Sequence, residues 1–189
     1  MIKRDIKTEL IEAAGEYPVV TLFGPRQSGK TTLVQMAFPD KLYYSLEDPD
    51  VRMAAETDPR GFLAKLSEGG VLDEIQRLPG LLSYIQGIVD QEKKTGMFIL
   101  TGSHQPELHQ TVRQSLAGRT AVLTLLPFSL SELKNYKKTW DPFELILKGA
   151  YPRLHEKGLK PARFFNGHMQ TYMERDVRAL INLKDLRSF

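Results

Sequence analysis

The stretch that most restricts the fold is Gly24-Pro25-Arg26-Gln27-Ser28-Gly29-Lys30-Thr31, which meets the pattern G-x-x-x-x-G-K-[ST] at every fixed position. It stands between a compact apolar run at 19–23 and a helical stretch at 29–37 that Phe38-Pro39 ends. Glycines let a backbone wrap a phosphate closely, with several N–H groups turned inward. The helix that follows adds its positive end at the same point. In this frame Lys30 reaches the β- and γ-phosphates, the Thr31 hydroxyl ligates Mg²⁺, and Thr32 caps the site from the next position. Pro25 has no N–H to offer, but it comes early in the loop, where the loss is tolerable. A glycine-rich turn before a capped helix is the plain alternative, and the strand–loop–helix setting argues against it. The expected ligands are ATP and Mg²⁺.

Short apolar runs alternate with longer amphipathic stretches along the chain, the pattern of an α/β protein around a mostly parallel sheet. Ile6, Leu10, Ile11 and Ala14 recur at helical spacing, with Gly15 and Pro18 expected to stop that helix. Further strands are expected at Leu42–Ser45, from Val71-Leu72 to an end in Asp73-Glu74, from 97–100 to an end in Thr101-Gly102, and at 121–125. Three Asp-Pro pairs, at 48-49, 58-59 and 141-142, read as helix starts, since the carboxylate caps free N–H groups and proline suits the first turn. Leu81, Leu82, Ile85, Ile88 and Val89 mark an amphipathic helix, and the chain after Pro127 reads as helical. Phe165, Met169, Tyr172, Met173, Val177, Leu180 and Ile181 form a stripe of core type, beside a charged face of Glu174, Arg175, Asp176 and Arg178.

A buried strand ending in two carboxylates is costly unless they face a cation or water. Asp73 is therefore expected to hold Mg²⁺ through its water shell, and Glu74 to polarise the attacking water as general base. An acidic pair at a surface strand end is the plain alternative. Thr101 and Ser103, at the end of the fourth strand, both suit contact with the terminal phosphate or the water, and Ser103 is preferred; a turn or cap role fits Ser103 equally well. Arg119 suits stabilisation of transition-state charge, in cis or from a neighbouring subunit, with an exposed surface arginine as the even alternative and Arg26 a weaker candidate.

Other signals fall away. His104, Glu107 and His109 have the wrong spacing for a metal motif, Pro106 interrupts them, and His155 and His168 add no partner. Asn182-Leu183-Lys184-Asp185 scrambles the guanine-reading order. A net charge of +3 over 189 residues does not imply a nucleic-acid partner, although Lys134, Lys137, Lys138, Arg175, Arg178, Lys184 and Arg187 thicken the charge late in the chain. There is no cysteine, no apolar leader and no membrane-length run, which agrees with a cytoplasmic protein.

The segments GPRQSGKTTL, YSLEDPDVR, GGVLDEIQRLPGLLSYIQGIVD, FILTGS, SLAGRTAVLTLLPFSLSEL, GAYPRL and YMERDVRAL occur in one order. Together they resemble the bacterial and archaeal AAA-type ATPases that carry a C-terminal domain of unknown function. The resemblance implies a P-loop three-layer α/β/α core with five strands in the order 5-1-4-3-2, Asp73-Glu74 on the acidic strand and Ser103 in the sensor position. It implies a core over 1–126 and a helical extension over 127–189, the start of a C-terminal region that family members continue. The apolar stripe without a cap or polar taper at its end fits that expectation.

The function expected is a Mg²⁺-dependent ATPase coupling hydrolysis to a conformational or assembly step, with a protein client or self-association through the C-terminal region, and with slow hydrolysis expected of these 189 residues on their own. The rival is a nucleotide-gated scaffold with negligible turnover. A small-molecule kinase would need an acceptor site and an arginine-rich lid, and the sequence offers neither.

Overall fold

The computed structural model describes residues 2–103, 106–137, 139 and 141–172. Its strands are β1 (Val19–Gly24), β2 (Leu42–Ser45), β3 (Gly70–Asp73), β4 (Phe98–Ser103) and β5 (Thr120–Thr124). They form one sheet in the order β2-β3-β4-β1-β5, with every neighbouring pair parallel. This is the anticipated order read from the opposite edge, and the sheet is parallel throughout. Parallel strands lie between two helical layers, so their apolar runs are continuous rather than alternating. All six residues of β1 are buried.

The two-residue period of the strands sorts these side chains onto two faces. Val19, Phe23, Leu72, Phe98 and Leu100 join a core with Ala55, Phe62 and Leu82, and with Leu108 and Val112. The covering helices are α3 (Pro49–Thr57), α4 (Pro59–Ala64), α5 (Leu81–Glu92) and α6 (Pro106–Ser115). Val20, Leu22, Val71 and Ile99 face the other way, against Leu10, Leu33 and Val34 of α1 (Lys7–Glu16) and α2 (Lys30–Ala37). The fold is a three-layer α/β/α sandwich.

Gly15 lies inside α1 and does not stop it; the helix ends at Glu16 because Tyr17, the residue before Pro18, is extended at φ −111°, ψ 143°. Asp48, Asp58 and Asp141 all cap helices, accepting from Asp50 N at 2.9 Å, Gly61 N at 2.9 Å and Phe143 N at 3.0 Å. Strand β4 runs on to Ser103, one residue past the expected end in Thr101-Gly102, because Ser103 still pairs with Gly24 of β1. That extension brings Ser103 level with the start of the glycine-rich loop.

After Pro127 the described residues form short helices, α7 (Leu130–Tyr136), α8 (Pro142–Lys148), α9 (Pro152–Glu156) and α10 (Pro161–Tyr172). Ser129 and Glu132 close a reciprocal capping box on α7. A small separate core of Ile2, Phe128 and Leu133 holds this part to the N-terminal residues. Phe143, Ile146 and Leu147 of α8 are exposed. Phe165 and Met169 lie on α10, whereas Met173, Val177, Leu180 and Ile181 fall outside the described residues. The same holds for His104, Lys138, the charged positions 174–178, the segment 182–185 and Arg187.

Candidate nucleotide-binding site

The loop leaves β1 at Gly24, where any Cβ would overlap the Leu125 carbonyl, so only glycine fits. Gln27 (φ 63°) and Gly29 (φ 95°) take left-handed backbone conformations and curl the chain into α2. Lys30 opens that helix and is buried, its Nζ donating to the carbonyls of Gly24 at 2.9 Å and Pro25 at 3.0 Å. Burial pulls the ammonium below the usual lysine range; the charges of Glu74 and Asp73 oppose this, and Arg26 adds to it. The Ser28 hydroxyl is buried in the loop with no hydrogen-bond partner among the described residues. Thr32 is exposed one position beyond Thr31.

Asp73 ends β3 and is buried. Its Oδ2 accepts from Thr31 Oγ1 at 2.7 Å and from the Tyr43 hydroxyl at 2.6 Å, while Oδ1 accepts from the Thr101 hydroxyl. Three neutral donors thus converge on one carboxylate from α2, β2 and β4. Burial, followed by the bond to Asp73, pushes the Tyr43 phenol above its ordinary pKa, so it stays a donor. The oxygen-only pair of Thr31 and Asp73 suits Mg²⁺, which takes one or two protein oxygens and keeps several waters.

Glu74 sits in the left-handed region at φ 60°, ψ 46°, a conformation that costs a non-glycine residue on the order of 1 kcal/mol. Its N–H donates to Thr101 Oγ1 at 3.2 Å, so one threonine holds both acidic residues. Ser103 stands further along β4, opposite Gly24 in the register. The Gln76 side chain joins it to Glu74: Nε2 donates to the Glu74 carboxylate and, at 3.1 Å, to Ser103 Oγ.

Arg119 is not brought to this cluster. Its carbonyl accepts from Val19 N at 3.1 Å, which puts it at the start of β1, and the loop leaves the far end of that strand. A six-residue strand separates the two by roughly 17–20 Å. There the guanidinium pairs with Asp90, Nη2 to Oδ2 at 2.9 Å, and that bond lowers the Asp90 pKa. Arg26 is half-buried within the loop itself.

Sequence reasoning missed three residues. Tyr43 and Gln76 carried a faint signal, as polar side chains beside a strand end and beside the acidic pair. Arg4 carried none. Its Nη1 donates to Ser28 O at 2.8 Å, Nη2 to Leu126 O at 2.6 Å and Nε to Glu132 Oε1 at 2.9 Å, with the guanidinium 4.9 Å from the Phe128 ring centre. Arg4 therefore ties the loop to the helical extension. Next to it a cleft of about 310 Å³ opens between Ile2, Gly29, Thr32, Leu33, Phe128 and Pro152. Its volume is at the low end for small-ligand pockets. A larger groove of about 540 Å³ lies between α4 and α5, with Leu63, Tyr84 and Ile88 in its wall, and touches none of the loop or acidic residues. No described helix is long and apolar enough to cross a membrane.

The profile of a family described as "AAA domain" matches residues 16–134. Uncharacterized proteins of Mycobacterium tuberculosis and Mycobacterium bovis are each 31% identical over 185 residues, 94% of this chain and 40% of theirs. The chain thus spans well under half the length of these relatives. Among solved structures, the Walker-type ATPase of Pyrococcus abyssi superposes with a TM-score of 0.59 at 15% identity, over 94% of this chain and 77% of that one. AMPPCP-bound DnaA from Aquifex aeolicus gives 0.59 at 17% identity, over 93% and 64%. At such identities the structural likeness speaks for the fold alone.

Proposed function

As the chain belongs to the AAA domain family, we propose that it binds ATP with Mg²⁺ at the 24–32 loop and hydrolyses the β–γ phosphoanhydride. The observation that carries this reading is the meeting of Thr31, from the loop helix, with Asp73, from the acidic strand, at 2.7 Å. Magnesium, when bound, supplies neutralisation of charge on the β- and γ-phosphates. Lys30 exchanges its two loop carbonyls for phosphate oxygens, relieving part of its burial cost. Thr31 would hold the ion through its hydroxyl, and Asp73 through the ion's water shell. Glu74 takes the proton of the attacking water, and Thr101 keeps both acidic residues in register. Ser103, level with Gly24, contacts the terminal phosphate or the water. The cleft beside Gly29 and Thr32 receives the nucleobase, with Phe128 as its aromatic wall.

Arg4 supports a coupling role, because it joins the loop carbonyl of Ser28 to Glu132 at the start of α7. Residues 1–126 then form the nucleotide core, and the chain from 127 the part that moves or assembles, with ATP and ADP as the ligands that switch it. Arg119, remote from the loop of its own chain, acts only if presented by a neighbouring subunit. That remoteness favours a second reading, a nucleotide-gated scaffold with negligible turnover. Phosphate release from Mg-ATP by the purified chain separates the two. The ATPase reading expects release that Lys30→Ala abolishes. Saturable ATP binding with release no faster than a protein-free blank leaves the scaffold.

A further inference from the structure

Gln76 lies in a 3-10 turn, Ile75–Arg77, directly after Glu74. The turn is pinned on both sides of it: Ile75 is fully buried, and Arg77 Nη2 pairs with Glu47 Oε1 at 2.7 Å. Between these anchors the Gln76 amide reaches across to the end of β4. Its Oε1 accepts from Ser103 N at 3.3 Å, and its Nε2 donates to both Ser103 Oγ and the Glu74 carboxylate. The path exists because Gly102 has no side chain; a Cβ there would stand 3.1 Å from Gln76 Oε1 and overlap a Leu108 methyl. A single amide thus engages the backbone N–H and the hydroxyl oxygen of Ser103 and one oxygen of Glu74. Among the described residues the other Glu74 oxygen accepts no hydrogen bond, which leaves it for a water.

We infer that Gln76 is a positioning residue that couples Ser103 to Glu74, turning contact of Ser103 with the terminal phosphate into alignment of the Glu74 carboxylate. This rests on the ATPase reading above. The Ser103 hydroxyl now accepts from Gln76, and its own proton is available for a phosphate oxygen. Donating that proton polarises the hydroxyl oxygen and tightens the bond from Gln76 Nε2, whose second proton points at Glu74. The carboxylate is held at one oxygen, and its free oxygen is presented to the water in a fixed orientation.

The test has a spectroscopic arm and a kinetic arm. In the wild-type chain, the Gln76 side-chain amide resonances, assigned by their loss in Gln76→Leu, should move when Mg-AMPPCP is added. In Ser103→Ala they should stay, while the backbone amides of the 24–31 loop still respond. Kinetically, Gln76→Leu should lower kcat about tenfold to a hundredfold with KM changed less than about threefold. The double variant with Ser103→Ala should be no slower than the slower single variant, as for residues acting as a unit. Gln76 resonances that ignore the nucleotide while the loop amides shift would overturn the coupling, and so would multiplicative kinetic losses. Loop amides that do not respond would sink the nucleotide reading and the coupling with it. A wild-type chain that shows the Gln76 shift but releases no phosphate would remove hydrolysis and leave the coupling standing.

Discussion

Replacing Lys30 by methionine keeps the length and apolar stem of the side chain and removes its charge. This ammonium is only 5% exposed and donates to two loop carbonyls. Hydrogen bonds from a charged donor contribute about 1.5–3 kcal/mol each. Taking an ammonium out of water costs several kcal/mol. The lowered pKa fixes the sign, since desolvation outweighs the nearby charges of Glu74 and Asp73. The free Lys30→Met protein is therefore expected to melt within about 3 °C of wild type, or above it, a window of roughly 1 kcal/mol for a chain of this size. The unfolded chain keeps the lysine proton up to 10.5, so wild-type stability should rise as pH climbs from the lowered value towards 10.5. The methionine variant should lack that rise. ATP binding moves the other way. An ammonium about 4 Å from one phosphate charge, at an effective dielectric of about 20, is worth about 4 kcal/mol, or roughly a thousandfold in Kd. Melting curves with and without Mg-ATP, together with calorimetric titration, read both effects. Affinity within about tenfold of wild type would refute the site, and a free-protein melting point more than about 6 °C lower would refute the burial argument.

Glu74→Gln retains an acceptor for the Gln76 amide and should keep ATP bound while phosphate release falls by about 10²–10⁴; a normal rate removes Glu74 as the base. Arg119→Ala should leave ATP affinity unchanged, because the side chain pairs with Asp90 at the opposite end of β1. If Arg119 serves a neighbouring site, turnover drops and mixing with Glu74→Gln restores part of it; a verified mixed oligomer without recovery excludes that role. His155 packs edge-on to Phe128 and shares a 2.7 Å hydrogen bond with the Gly149 carbonyl; burial sets its pKa below the usual histidine value of 6.5. The unfolded chain therefore gains a proton first as pH falls below 6.5, and the protein should lose stability there. Melting curves of His155→Gln at pH 7.5 and 5.5 should differ less than those of wild type, and equal differences would clear His155.

Strand positions were legible because parallel strands buried on both faces leave dense apolar runs, and the three capping aspartates were legible because Asp-Pro is a local device. Strand ends were less so. Whether β4 stops at Gly102 or continues to Ser103 depends on β1 offering Gly24 as a partner, which no local pattern reports. Gly15 misled for a related reason: α1 packs its Leu10, Ala13 and Ala14 face on the sheet, and tertiary burial outweighs the small propensity penalty of one glycine.

Taken alone, the sequence determined the loop, since eight consecutive residues carry both its backbone freedom and its cation, and short-range geometry does the rest. It also marked Asp73 and Glu74 as carboxylates in need of a purpose, because a buried strand cannot end in charge without one. Which groups would answer them was decided only in three dimensions. Thr31, Tyr43 and Thr101 lie 42, 30 and 28 residues from Asp73 along the chain, yet parallel pairing of β2, β3 and β4 beside α2 sets all three hydroxyls around one carboxylate. The same register carried Arg119 to the opposite end of β1, as a residue just before a strand parallel to β1 must be. A strand fixes where its residues point, but its neighbours in the sheet decide which end of the molecule they reach.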